Sequence, residues 1–186
     1  TAEWETGKHT GIDLICWRDL FPPGSKPHSE SPYGFKLHGF NWAYKKGYTS
    51  ILWVDSAAYA VKKNVSPIFQ KMEAEGYYAM SHTDPLINQI GDTYLKFYRM
   101  KRELLDGYNL PSGSCYGFDL YNPVGMGVGM KIFQTMRHDE FRGLFKSETT
   151  DQWNHRHDEA CLAGTLKRLK LPVFFMDPLF QSNEIE

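Results

Sequence analysis

No run of this 186-residue chain approaches the ~20 consecutive apolar residues that cross a bilayer, so no transmembrane segment is expected. A charged-then-apolar leader is also missing from its start, and the expected compartment is the cytoplasm, or the host cytoplasm for a viral protein. There is no surplus of positive charge: 21 Lys and Arg stand against 22 Asp and Glu, for a formal net charge of −1. Binding to phosphate backbones needs such a surplus, so a nucleic-acid partner is not expected. Cysteine is scarce. Cys16, Cys115 and Cys161 lie far apart in apolar or strand-like neighbourhoods, which fits reduced thiols and not a disulfide framework. Cys16 reads as a small core residue rather than a nucleophile. No internal repeat, low-complexity tract or shift in composition marks a second domain, so residues 1–186 are read as one domain.

Hydrophobic residues make up 41% and charged residues 23%, the balance of a globular protein with one sizeable core. Aromatics reach 15%; their faces suit sugar rings and nucleobases, and suit cores equally well. Alternating elements follow along the chain. Residues 12–17 read as a strand, and residues 21–32, rich in Pro, Gly, Ser and Lys, as a loop long enough to suggest function or mobility. Residues 32–46 read as a helix with Pro at its start and Gly47 at its stop, its apolar stripe being Tyr33, Leu37, Phe40 and Tyr44. The apolar run 50–55 reads as a strand buried on both faces, as in a parallel sheet. Further helices are expected over 66–75, 92–105, 128–137 and 157–169, and strands over 77–80, 114–120 and 173–176. This alternation predicts an α/β fold, a single-domain α/β/α sandwich on a mostly parallel central sheet, with ligands outside the carboxyl ends of the strands.

Three groups of residues carry candidate chemistry. Asp55 ends the most apolar strand, where a carboxylate can hold a divalent cation or a ribose hydroxyl; the alternative is a turn-forming Asp beside Ser56. Lys36 falls in a first helical turn, where its charge opposes the helix dipole and where an anion would turn that liability into a site; the alternative is a solvated lysine. The densest cluster is residues 153–159, Trp-Asn-His-Arg-His-Asp-Glu. Acidic residues in a first turn complement the dipole, which accounts for Glu159. It accounts less well for Asp158, which shares a helix face with Leu162, Leu166 and Leu169 and so points inward, where an unpaired carboxylate is costly. Such a group can bind sugar hydroxyls, ligate metal, or act as base or nucleophile, while His155 or His157 can ligate metal and Arg156 can fork onto a phosphate or carboxylate.

The order Pro-Tyr33-Gly-Phe-Lys36, Ser-Ile-Leu-Trp-Val-Asp55-Ser56-Ala57, Cys115-Tyr-Gly-Phe-Asp119 and His-Arg156-His157-Asp158-Glu159 resembles small glycosyltransferases of the GT-A, nucleotide-diphospho-sugar transferase type, including phage and viral ones. The resemblance runs from about Ile12 to Met176. It implies transfer of a sugar from a UDP- or GDP-linked donor to a carbohydrate or other hydroxyl acceptor. It places Asp158 and Glu159 at the catalytic, sugar-facing side, and Tyr33, Lys36, Asp55, Ser56 and Arg156 on the donor. It also makes Asp55 the metal or ribose carboxylate; a Mn²⁺ or Mg²⁺ ion there would take the donor diphosphate and a histidine, His155 or His157, to complete its shell.

Two departures stand out. Ala57 occupies the place of the second Asp in the family's Asp-x-Asp motif, which leaves Lys36 or Arg156 to neutralise the departing diphosphate. The front of the chain is too short for the family's first strand–helix unit, so that unit is expected to be missing. A nucleotidyltransferase on sugar phosphates also places a carboxylate at a strand end, but its Gly-rich basic loop has no counterpart in residues 21–26. A catalytically inactive nucleotide-sugar or carbohydrate-binding module is the non-enzymatic alternative.

Overall fold

A computed structural model describes residues 22–27, 30–31, 33–56, 58–60, 64–137, 157–174 and 180–182. In chain order these form α1 (Gly34–Lys45), β1 (Ser50–Val54), β2 (Ala58–Ala60), α2 (Ser66–Glu75), β3 (Tyr77–Pro85), α3 (Asp92–Tyr98), β4 (Asn109–Asp119), α4 (Pro123–Arg137), α5 (His157–Arg168) and β5 (Phe180–Ser182). Short 3-10 turns occupy Leu86–Asn88 and Arg102–Leu105.

The fold is mixed α/β, but the expected parallel sheet is not what forms. The main sheet runs β1-β4-β3, and both pairings are antiparallel, with Ser50 opposite Asp119 and Tyr77 opposite Phe118. The reason lies in what fills the gap. β1, α2 and β3 make a strand–helix–strand crossover, so β1 and β3 point the same way, as alternation implies. They are not neighbours. β4 enters between them in the opposite direction and turns each contact antiparallel. The one parallel contact among the described residues is a bridge from Met80 to Phe174, closed by Phe174 N–H to the Ala79 carbonyl at 2.9 Å and Ser81 N–H to the Phe174 carbonyl. β2 and β5 pair antiparallel in a separate two-stranded piece.

Strand alternation divides the core between the two faces of the sheet. Tyr78, Met80 and Cys115 pack with Ile68 and Met72 of α2 on one face. Tyr77, Ala79, Tyr116 and Phe118 pack with Leu37 and Phe40 of α1, Val128 and Ile132 of α4, and Leu162 and Leu166 of α5 on the other. β1 is only half-buried, not enclosed on both faces as its apolar run suggested; β4 holds the buried central position.

Other expectations shift locally. The helix read over 92–105 breaks at Arg99, which adopts a left-handed φ of 53° and returns its N–H to the Lys96 carbonyl. Arg102 then ties the segment down, donating to the carbonyls of Ile87 and Ile90 and to Asp92. Leu169, expected on the buried stripe of α5, lies beyond the helix end and is 44% exposed. The strand read over 12–17 and the second half of that over 173–176 lie outside the described residues.

α5 is held in register by a buried hydroxyl cluster. Tyr98 Oη lies 3.0 Å from Tyr94 Oη, 3.0 Å from Thr165 Oγ1 and 3.2 Å from Thr135 Oγ1, linking α3, α5 and α4. A second close contact joins the end of α2 to the start of α4. A Cβ on Gly125 would stand 2.0 Å from the Gly76 carbonyl oxygen and 2.1 Å from that of Asp119. Gly127, two residues on, has nothing within 4 Å of such a Cβ. Two substitutions in one helix should therefore move stability in opposite directions. Gly125→Ala should cost about 3 kcal/mol by forcing backbone apart, and Gly127→Ala should add about 1 kcal/mol through helix propensity. Urea unfolding of both variants checks this, and equal effects would contradict the packing described.

Candidate functional site

The first turn of α1, the end of β1, the middle of β4 and the first turn of α5 meet at one side chain, Lys36. Its side chain is 2% exposed, the reverse of a solvated lysine. It lies 3.0 Å from Asp55 Oδ1 and 3.2 Å from Asp158 Oδ2, and donates to the Gly113 carbonyl at 2.8 Å. Two of its N–H bonds are aligned on acceptors, Asp55 Oδ2 at 3.2 Å and the Gly113 carbonyl, and Asp158 is held as an ion pair. The anions drawn to this helix start are thus the protein's own carboxylates. The ring faces of Tyr33 and Trp53 stand 4.9 Å and 5.8 Å from the same ammonium, within cation–π range.

Each partner is fixed by local structure. Asp55 follows the last residue of β1; its N–H donates to the Ser114 carbonyl at 2.9 Å and its own carbonyl accepts the Ala58 N–H, closing a turn. Trp53, two residues earlier and so on the same side of the strand, donates its indole N–H to Asp55 Oδ1 at 2.5 Å. Gly113 sits where the β3–β4 register slips between Ala79 and Ser81. Both of its backbone groups serve the site: the carbonyl accepts from Lys36 and the N–H donates to Glu159 Oε1 at 2.8 Å. A side chain there is excluded, because a Cβ would stand 2.8 Å from Glu159 Cγ and 3.2 Å from Asp158 Oδ2.

Asp158 is 6% exposed, and inward-facing as its helical spacing implied. Oδ2 touches Lys36 but has no well-aligned hydrogen-bond donor among the described residues, and the buried Tyr116 hydroxyl likewise has none. Burial drives the Asp158 carboxyl up, Lys36 draws it down and Glu159 pushes it up again, leaving it at about 7 against an ordinary 3.8. Desolvation outweighs the ion pair. The helix ends help the site hold its negative charge, since the N-termini of α1 and α5 each carry roughly half a positive charge. Both helices also start from strained non-glycine residues in the left-handed region, Tyr33 at φ 59° and His157 at φ 37°. Their rings lie 5.8 Å apart. Such strain persists where surrounding contacts over-determine it, often at functional sites.

The structure therefore brings together Tyr33, Lys36, Asp55, His157, Asp158 and Glu159. Ser56 is exposed in the turn after Asp55, and Arg156 lies outside the described residues. Lys36 is buried against Asp55, Gly113 and Asp158 and not turned out toward a donor phosphate. Glu159 grips the Gly113 backbone, which makes it a positioning residue. The Mn²⁺ or Mg²⁺ expected on Asp55 with His157 would have to share Asp55 with the Lys36 ammonium. No cluster of three or more His, Cys, Asp or Glu side chains among the described residues is arranged to hold a metal ion, and the Lys36 ammonium stands against Asp55. Trp53 and Gly113 escaped sequence reasoning, although both left signals: an indole at i−2 from a strand-end carboxylate, and a glycine inside a strand, which often marks a bulge or close approach. The thiols of Cys115 and Cys161 are buried and pushed up to about 12, as inert core residues. No protein-family model, curated protein or solved structure matches this chain.

The Asp158 carboxyl gives a measurable pH signature. Between about pH 4 and 7 the folded protein holds a proton on Asp158 that the unfolded chain has already released. This group's contribution to stability is therefore full below about pH 4, declines as pH rises, and levels off above about 7. Asp158→Asn removes the slope. Urea midpoints of parent and variant from pH 5 to 8 should show the parent losing ground to the variant as pH rises; the opposite trend would contradict the burial of an unsatisfied carboxyl.

Proposed function

We propose that this chain is a glycosyltransferase that moves a sugar from a nucleotide-diphosphate donor to a hydroxyl acceptor, on a GT-A-like α/β framework. The observation that carries this reading is the convergence of a strand-end carboxylate, Asp55, and a helix-start carboxylate, Asp158, on one buried ammonium. Paired carboxylates beside aromatic faces suit sugar hydroxyls, and the side chain of Asp55 is 31% exposed and open to a ligand.

In this reading Asp55 accepts hydrogen bonds from donor hydroxyls. Asp158, poised near neutrality, takes the proton of the acceptor hydroxyl as its oxygen bonds to the anomeric carbon. The bond from that carbon to the diphosphate breaks, and its electron pair leaves with the nucleoside diphosphate. Lys36 and Glu159 hold the two carboxylates and the β4 backbone in place. Arg156 is the cation assigned to the diphosphate. No step is routed through a metal.

A second reading is favoured by one specific observation, the burial of the Lys36 ammonium against three of the protein's own oxygens. An inactive sugar-binding module would keep the same carboxylates and lack a cation for the leaving group.

Calorimetry with UDP- and GDP-sugars, paired with an assay for released nucleoside diphosphate, tests both. Asp55→Ala should weaken donor binding about tenfold or more, the loss of one charged hydrogen-bonding group. Asp158→Asn should bind donor nearly as well as the parent and lose about 10²- to 10⁴-fold in turnover, the usual contribution of a general base. Donor binding unchanged by Asp55→Ala would overturn the assignment, and binding without any turnover or slow hydrolysis would favour the binding module.

A further inference from the structure

Three oxygen acceptors converge on the Lys36 ammonium from three separate elements: Asp55 after β1 at 3.0 Å, Asp158 in α5 at 3.2 Å and the Gly113 carbonyl of β4 at 2.8 Å. Two aromatic faces, Tyr33 and Trp53, close other sides. Oxygen donors converging from distant parts of a chain are the arrangement of a hard-cation site. The distances here are those of an ammonium, since Mg²⁺ takes oxygen at about 2.1 Å and Ca²⁺ at about 2.3–2.6 Å. The aromatic faces point the same way, because ring quadrupoles favour ammonium groups. The sequence is consistent with this. Ala57 stands two residues after Asp55 where a second carboxylate would raise the negative charge, and a buried cation is supplied from α1 instead.

We infer that this is an ammonium cage filled by the chain's own Lys36, a tethered cation that takes the place of a divalent metal ion at the Asp55–Asp158 site. A divalent ion entering beside it would meet a positive charge 3.0 Å from Asp55, and would have to displace a side chain held by two hydrogen bonds and an ion pair. The site therefore arrives with its cation already installed, and its ligand binding is independent of divalent metal. The inference concerns the occupant of the cage and stands whether or not the chain transfers sugar.

The test uses cations alone, with no sugar present. Titration of the parent chain with Mn²⁺, followed by electron paramagnetic resonance, should show no saturable site that Asp55→Asn abolishes, and neither Mn²⁺ nor a chelator should shift its melting temperature. Lys36→Ala leaves two carboxylates facing each other and should lower the melting temperature by on the order of 10 °C. Methylammonium at millimolar concentration should recover part of that loss, and sodium at the same ionic strength should recover less. Lys36→Met, which keeps the aliphatic stem, should melt low and gain nothing from methylammonium, because its own side chain fills the cage. A saturable Mn²⁺ site on the parent that disappears in Asp55→Asn would overturn the inference. Equal recovery of Lys36→Ala by sodium and methylammonium would overturn it as well. If Lys36→Ala does not fold, the parent titration and Lys36→Met still decide the matter: Mn²⁺ binding at Asp55, or a Lys36→Met variant as stable as the parent, would each contradict a built-in cation.

Discussion

Burying an ammonium group away from water costs several kcal/mol, and the cost is recovered only when good acceptors meet it at the right distance. Lys36 meets this demand with acceptors from β1, β4 and α5, elements distant in sequence that must all be in place before any of the cost is offset. The cluster is therefore a condition on the fold as a whole. The rest of the described structure can be read as the means of satisfying it. The Tyr98 hydroxyl cluster fixes α5, and with it the height of Asp158. The Trp53 indole fixes the rotamer of Asp55.

The central strand gives way to this demand. In a regular ladder the N–H and carbonyl of Gly113 would serve neighbouring strands; here both turn to side chains of α1 and α5, and the β3–β4 register slips beside them. A backbone that leaves its ladder must find other partners, since an unpaired buried N–H or carbonyl is costly. Lys36 and Glu159 supply them. Charge and backbone pairing thus support one another: the lysine that neutralises the carboxylates also satisfies the carbonyl of the distorted strand, and Glu159 takes its N–H.

Much of this was legible in the sequence, and the remainder fails for identifiable reasons. Helical spacing alone turned Asp158 inward, because side-chain direction on a helix is a local property. The burial of Lys36 was not local. Viewed along its own helix it is a cation at the wrong end of a dipole, and only the arrival of Asp55 and Asp158 in space makes the position favourable. The helix expected over 66–75 forms as Ser66–Glu75, with Gly76 after it in the left-handed region as a C-terminal glycine should be. Sheet direction was not readable from the alternation of elements. Alternation constrains the β1–α2–β3 crossover and says nothing about which later strand fills the gap it leaves. The apolar run of β1 was mistaken for burial on both faces because hydrophobicity records what a strand could bury, and not what comes to cover it.

The central claim is that Lys36 and Asp158 act as one buried charge pair, and the most direct measurement is their coupling energy. A double-mutant cycle of Lys36→Met and Asp158→Asn, read by urea unfolding at pH 8 where the Asp158 carboxyl is ionised, isolates that quantity. The account predicts that Lys36→Met alone is strongly destabilising, that adding Asp158→Asn recovers much of that loss, and that the coupling reaches about 2 kcal/mol or more. Additive effects, with coupling within about 0.5 kcal/mol of zero, would show that the two groups do not depend on each other and would contradict the account.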